Sequence, residues 1–342
     1  MMQSIEGNEI ILYAGDENEA TVSELVTCMS REKQAEFGLT GPETILNSAY
    51  DWNNPQWTYF NEQCIQEVRK RIQPGDIIGV IAGLCQKPVT DAFPDNRFVE
   101  WGVGYSGTYG QFNVYESYAW MHCLYGGASM AKGGPHNQQG RFYDTVIPNF
   151  FEDDYFPYVP AEERGDYFLF VGRLIDLKGV AIAADACREM GERLIVAGIG
   201  PNPPEYGEQV GLIGPDERAD LMSHAKGLFA PTLYIGPYEA VAVEAMLCGT
   251  PVLTTDWGAF TEYVKPGLTG FRCRTLGEFI HGAKLINEGK FDNKKIHDYA
   301  TNLLSVNTIR WQYQTYFNRI KDLDGAGFYD MEHHHGIEMR EW

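Results

Sequence analysis

The sequence predicts an α/β protein made of two doubly wound parallel sheets. Short apolar runs alternate with helical patterns along all 342 residues, as expected of parallel strands covered by helices on both faces. The length exceeds one typical core, at about 100–200 residues per domain, so two domains are expected. The alternation is interrupted by "IPNFFEDDYFPYVPAEERGD" (Ile147–Asp166), which is rich in proline, acids and aromatics and has no clear period. Residues 1–150 are therefore read as one domain and 151–310 as a second. Residues 311–342 are read as a helix packing back toward the first domain, plus a tail. In open parallel sheets ligands bind beyond the carboxyl ends of strands, so the expected site is a cleft between two facing Rossmann-like domains.

Strands expected in the first half are "EIILYA" (Glu9–Ala14), "DIIGVIA" (Asp76–Ala82), "RFVEWGVG" (Arg97–Gly104) and "DTVIPN" (Asp144–Asn149). Phe60, Cys64, Ile65, Val68 and Ile72 follow helical spacing, and so does the stretch Val114–Leu124. In the second half the strands are "DYFLFVG" (Asp166–Gly172), "RLIVAGI" (Arg193–Ile199), "VGLIG" (Val210–Gly214), "GLFAPT" (Gly227–Thr232), "PVLTTD" (Pro251–Asp256) and "TGFRC" (Thr269–Cys273). Helices fall between them. "PDERADLMSHA" opens with Pro and acids, as a helix start should. Thr275 with Glu278 fits a capping box. The last strong helix, Thr308–Leu323, places Ile309, Tyr313, Tyr316, Phe317 and Ile320 on one face.

Composition excludes several classes. The 7 cysteines are widely spaced with no C-x-x-C pair, which argues against a zinc ribbon or a disulfide framework and for reduced thiols in a cytoplasmic setting. No signal peptide and no membrane span is expected. The formal net charge is -20, so nucleic acid is an unexpected partner.

Chemistry concentrates in two stretches. In "FVGRLIDLKGV" (Phe170–Val180) a strand ends at Gly172, Arg173 follows, and Lys178 precedes a helix. A guanidinium, an ammonium and helix amides near one point are the parts for holding a diphosphate, with surface salt bridging the plain alternative. In "YIGPYEAVAVEAMLCGTPV" (Tyr234–Val252), Glu244 is the only polar side chain between Ala240 and Cys248. Such an acid is suited to accept hydroxyl hydrogen bonds from a ribose, or else forms an internal salt bridge. Lesser candidates are the Gly198/Gly200 turn, Ile213 and Gly214, and the glycine-rich "WGVGYSGTYG", where Tyr105, Ser106 and Gly107 are read as an acceptor or phosphate loop. His122 and His136 are read as a core and a loop histidine. A metal site is not expected from His333–His335, nor from Asp322–Asp324.

"GRLIDLKG", "VEAMLCGTPVLTTDWGAFTEYVKPGLTG" and "VIPNFFEDDYF" resemble signatures of retaining GT-B glycosyltransferases of the group 1 (family 4-like) type, over roughly Asp144–Cys273. "GVGYSGTYGQFNVYESYAWMHCLYG" is similar to one branch of that family. The resemblance implies a nucleotide-diphosphate sugar donor, UDP- or GDP-linked, a carbohydrate or other hydroxyl acceptor, retention of configuration, and no metal or other cofactor. It implies that Arg173 and Lys178 hold the diphosphate, that Glu244 grips the ribose, and that Gly172, Gly198, Gly200, Ile213, Gly214, Pro237, Tyr238 and Ala240 lie at the donor. The family pattern departs at one point: a first Glu is usual eight positions before the second, and here that position is Gly236. Glu239 is the nearest acid and is taken as the catalytic one, although on an ideal helix it lies about 140° around from Glu244. Two alternatives stay open: a nucleotide-sugar binder that has lost transfer, and a transferase acting on modified bases of nucleic acid. A dehydrogenase is set aside for want of a dinucleotide fingerprint.

Overall fold

The computed structural model describes residues 5, 7–16, 18–41, 51, 53–131 and 143–322. His136, His333–His335 and Asp324 lie outside them. The chain divides into two compact units, one of residues 1–115, 139–147 and 310–342, the other of residues 116–138 and 148–309.

In the first unit β1 (Ile11–Gly15) pairs in parallel with β2 (Glu24–Met29). A second ladder runs β3 (Ile77–Val80), β4 (Arg97–Val103), β5 (Phe112–Tyr115), β6 (Thr145–Val146), all parallel. One continuous sheet was expected, and among the described residues there are two. β2 has no counterpart in the expected strands, and β5 falls where a helix was expected from Val114. All four residues of β5 are buried, and a strand buried on both faces shows no alternation to distinguish it from a helix. Helix α1 (Pro55–Val68) packs Cys64 and Val68 against Val26 and Cys28 of β2.

The described residues 116–131, expected with the first domain, belong to the second unit, and hydrogen bonds supply the reason. The Ser117 hydroxyl donates to the Pro237 carbonyl at 2.6 Å. The Glu262 carboxylate accepts from the amides of Tyr118 and Ala119, the first residues of α2 (Tyr118–Ala131), at 3.1 and 2.8 Å.

The second unit is one parallel sheet of β7 (Phe168–Val171), β8 (Leu194–Ala197), β9 (Glu208–Gly211), β10 (Gly227–Ala230), β11 (Val252–Thr255) and β12 (Gly270–Cys273), in the spatial order β12-β11-β10-β7-β8-β9. Alternate side chains feed cores on opposite faces. Leu169, Leu228 and Val252 point to one side, Phe168, Phe229 and Leu253 to the other. Helices cover both: α3 (Val180–Met190), α4 (Pro215–His224), α5 (Ala240–Leu247) and α6 (Leu276–Asn287). Pro215 and acids open α4, and the Thr275–Glu278 capping box opens α6, as expected. The terminal helix (Val306–Asp322) buries Ile309, Tyr313, Tyr316 and Ile320, and from Arg310 on it belongs to the first unit. No helix among the described residues is long and apolar enough to cross a membrane.

Chain order in this sheet runs outward from β7 through β8 and β9, then restarts beside β7 at β10. Crossovers leave β7 and β10 in opposite directions. A crevice therefore opens at the carboxyl ends of these two strands.

Candidate functional site

The two loops at that switch point build the site. After β7 the chain passes through Gly172 and Arg173 to a 3-10 turn, Asp176–Lys178, and into α3. Gly179 sits between them at φ 70, and a Cβ there would lie 2.2 Å from the Pro231 carbonyl oxygen. Only glycine lets this turn press against the end of β10, which fixes Lys178. The Lys178 ammonium pairs with Glu239 Oε2 at 2.6 Å and lies over the Tyr234 ring at 5.0 Å.

After β10 the chain turns through Gly236-Pro237-Tyr238-Glu239 into α5. Glu239 is the one non-glycine residue with positive φ among the described residues, at φ 66 and ψ 62. The Tyr263 hydroxyl, buried under the turn, reaches the carbonyls of Tyr238 and Glu239 at 2.6 and 3.1 Å. This left-handed residue corrects the helical expectation. Glu239 precedes the helix, so the 140° offset does not apply, and its side chain folds back over Gly236. A Cβ at Gly236 would stand 2.1 Å from Glu239 Oε1. Thr232 adds a hydroxyl hydrogen bond to Glu239 at 3.2 Å.

Glu244 lies on α5, with Ala242, Val243, Ala245 and Met246 around it fully buried. Burial pushes its carboxyl up and Arg218 opposes that. Arg218 Nε stands 3.2 Å from Glu244 Oε2.

These groups share a hollow of about 410 Å³. Gly172, Lys178, Pro237, Tyr238, Glu239, Ala240 and Glu244, all foreseen, line it. The amides of Ala240 and Val241, in the first turn of α5, have no partner among the described residues. Glu116, Asn149, Arg218 and Tyr234 also line it and were not foreseen. Glu116 follows directly on β5 and Asn149 comes three residues after β6, so polar residues past strand ends were the signal. Burial pushes the Glu116 carboxyl up, and a hydrogen bond with Asn149 opposes it. The Tyr238 hydroxyl is buried and unpartnered among the described residues. The hollow thus offers carboxylates for hydroxyl groups, and an ammonium with helix amides for phosphate.

The remaining candidates fall elsewhere. Arg173 is exposed, forms no ion pair among the described residues and does not line the hollow. Gly198 and Gly200 serve backbone packing, since Cβ atoms there would lie 1.8 Å from the Gly172 oxygen and 2.4 Å from the Leu174 oxygen. Gly214 is the N-cap of α4, Ile213 is half-buried, and neither reaches the hollow. In the first unit, the Tyr105 hydroxyl is not free for a ligand: it donates to buried Glu100 at 3.1 Å. Ser106 and Gly107 are exposed beside it. No group of three or more metal-ligating side chains occurs among the described residues.

Residues 165–283 match the family model described as glycosyl transferases group 1. A D-inositol 3-phosphate glycosyltransferase of Mycobacterium marinum is 36% identical, over 30% of this chain and 25% of the relative. The chain spans only 25% to 36% of the length of the first curated relatives it matches. Among solved structures, AviGT4, a glycosyltransferase involved in avilamycin A biosynthesis, is similar with a TM-score of 0.58 and 21% identity, covering 77% of this chain and 78% of that one. Anabaena HepE in complex with UDP and glucose is similar with a TM-score of 0.58 and 18% identity, covering 81% and 85%. At these identities the likeness shows the fold, the α/β GT-B arrangement of parallel sheets and helices.

Proposed function

We propose, on the premise that this chain is a group 1 glycosyl transferase across residues 165–283, that it moves a sugar from a nucleotide-diphosphate donor to an acceptor hydroxyl. The observation that carries this reading is the hollow at the β7/β10 switch point, which Lys178, Glu244 and the first residues of α5, Ala240 and Val241, line together. The diphosphate sits against Lys178 and the amides of Ala240 and Val241, and Arg173, exposed and outside the lining, joins only when drawn in from solvent. Glu244 takes the ribose hydroxyls. Glu239 faces the reacting sugar, and its place over Gly236 supports reading it as the acid that stands in for the missing one. The solved relative holding UDP and glucose favours a UDP-sugar, with GDP the other base to try.

The reaction breaks the bond from the anomeric carbon to a diphosphate oxygen and forms one to the acceptor oxygen, whose proton leaves for the departing phosphate. Charge grows on the diphosphate as that bond breaks. Lys178 and the helix amides, already in position, stabilise it without reorganisation, so no metal is required in this proposal. Holding the ribose fixes the leaving group's orientation. Retention of configuration and a cytoplasmic setting are parts of the same proposal.

Hydrolysis-corrected release of UDP or GDP from a panel of nucleotide sugars, with and without a mixture of hydroxyl acceptors, tests it. Acceptor-dependent release, unchanged by EDTA, is expected. Nucleotide binding with no release under any acceptor would favour the binder that has lost transfer. Absence of binding to every nucleotide sugar would end the proposal.

A further inference from the structure

We infer that Arg218 is a positioning residue: it keeps the Glu244 carboxylate ionised and turned into the hollow, ready to accept hydrogen bonds from two neighbouring hydroxyls of a pentose. This rests on the nucleotide reading above and deepens it by assigning a role to a residue that the sequence patterns did not single out.

A diol presents two O–H donors. It is best met by an ionised carboxylate, which is acceptor-only, whereas a protonated one spends an oxygen as a donor. Glu244 stands where ionisation is hard. It is 8% exposed, on a helix whose neighbouring side chains are apolar and fully buried. An acid in such surroundings tends to hold its proton. Among the described residues its carboxylate accepts no hydrogen bond at all. What it has is the guanidinium of Arg218, brought in from α4 at 3.2 Å from Oε2.

The contact is oblique. Arg218 Nε is buried and closes no hydrogen bond among the described residues, so the cation contributes its charge and leaves the acid's lone pairs open to the hollow. The other charged groups around Glu244 do not do this. Lys178 is paired with Glu239. Glu239 and Glu116, on the hollow's other walls, are acids and bring no positive charge to it. Cys248, one turn along the chain, is a buried thiol whose own value is pushed up to about 12. Asp216, two residues earlier on the same helix, accepts from the Tyr155 hydroxyl at 2.9 Å, and side chains two apart on a helix do not face each other.

The test is calorimetric titration of UDP and GDP, and of their 2′-deoxy counterparts, between pH 5.5 and 8.5. It uses the full chain and the variants Arg218→Met, Arg218→Lys and Glu244→Gln. Ratios of variant to unaltered protein cancel the titration of the ligand's own phosphates. The Arg218→Met variant is expected to bind within about 3-fold of the unaltered protein at pH 8.5. By pH 6 it is expected to fall about 10-fold behind and to lose its preference for ribose over deoxyribose, as its acid takes up a proton. Arg218→Lys restores most of the affinity. Glu244→Gln binds weakly with no such pH dependence, and adding Arg218→Met to it changes nothing further. A loss from Arg218→Met that is equal at every pH, or that persists in the Glu244→Gln background, would overturn the inference and make Arg218 a direct ligand or a structural residue. If the unaltered protein binds none of the four nucleotides, the nucleotide reading itself is overturned, and this inference with it.

Discussion

Glu100 and Glu244 are both buried acids on apolar elements, yet their surroundings differ. Glu100, on β4 in the first unit, is fully buried, and its carboxylate accepts from the amides of Tyr109 and Gly110 and from the Tyr105 hydroxyl. Its acceptor capacity is consumed in folding the glycine-rich loop back onto the strand. Desolvation, with the Glu100 charge next, lifts the Tyr105 hydroxyl far above the usual phenol range, so Tyr105 remains a donor. Glu244 has a cation at 3.2 Å and, among the described residues, a carboxylate that accepts no hydrogen bond, and it edges an open hollow. A buried acid whose donors are all supplied by the fold is architecture. One whose lone pairs face empty space is equipped for a ligand.

The largest effect should come from breaking the first kind. Glu100→Ala strips the acceptor from two amides and a hydroxyl inside the fold. At roughly 1–3 kcal/mol for each unsatisfied buried group, about 4 kcal/mol of stability is expected to go, read as a drop in denaturant midpoint. Nucleotide affinity of the protein that remains folded should not change. Glu244→Gln should do the opposite, moving stability by less than about 1 kcal/mol while weakening UDP or GDP about 10-fold, the scale of one hydrogen bond to a charged group. If both variants lose stability equally, the distinction between the two acids is lost.

Next in size is Lys178→Ala. Removing the ammonium from a diphosphate should cost about 1.5–3 kcal/mol, or 10- to 150-fold in affinity. It also leaves Glu239, whose side chain is 5% exposed, without its cation. The variant should therefore melt lower as well, and adding Glu239→Gln should recover the melting temperature but not the affinity. Recovery of both would mean that Lys178 serves Glu239 alone.

A third prediction concerns the turn. Gly236→Glu drives a Cβ to within 2.1 Å of the Glu239 carboxylate and should cost about 1–3 kcal/mol by overpacking. Glu239→Gly relieves a left-handed backbone that costs a non-glycine residue about 1 kcal/mol, but removes the partner of Lys178. Together the two changes should cost less than their sum by at least about 1 kcal/mol, because each vacates or fills the same space. Strict additivity in a double-mutant cycle of stabilities would show that residues 236 and 239 are not coupled.

Much of the second unit was legible because its rules are local. Alternation of apolar runs with helices, Pro215 at a helix start and the Thr275–Glu278 box each involve residues a few positions apart. So does the placement of Lys178 and Glu244 each shortly after a strand, β7 and β10, and both line the hollow. What was not legible depends on long-range placement. Arg218 reaches Glu244 from another helix, and Glu116 and Asn149 arrive from past the ends of β5 and β6. Tyr105 reads as a free hydroxyl in sequence, because nothing local shows that Glu100, five residues earlier on β4, takes it. Glu239 misled for the converse reason. A helical angle was applied to a residue that, held left-handed by Tyr263 beneath it, is not in the helix.

The smallest effect separates the two cations that the sequence pairs. Arg173 and Lys178 are equivalent by motif, and equal losses of about 1.5–3 kcal/mol follow from motif alone. Their settings are not equivalent. Lys178 is held at the hollow by a turn that only Gly179 permits, whereas Arg173 is exposed and outside the lining. A guanidinium that must be drawn in from solvent loses rotamer freedom on binding, and its charge is screened until it arrives. Arg173→Ala should therefore weaken nucleotide binding by less than about 1 kcal/mol, under 6-fold, and the loss should shrink further between 50 and 500 mM salt. Lys178→Ala should remain costly at both. Equal losses at high salt would show that the donor pulls Arg173 fully into the site, making the arginine as much a part of the diphosphate cradle as the lysine.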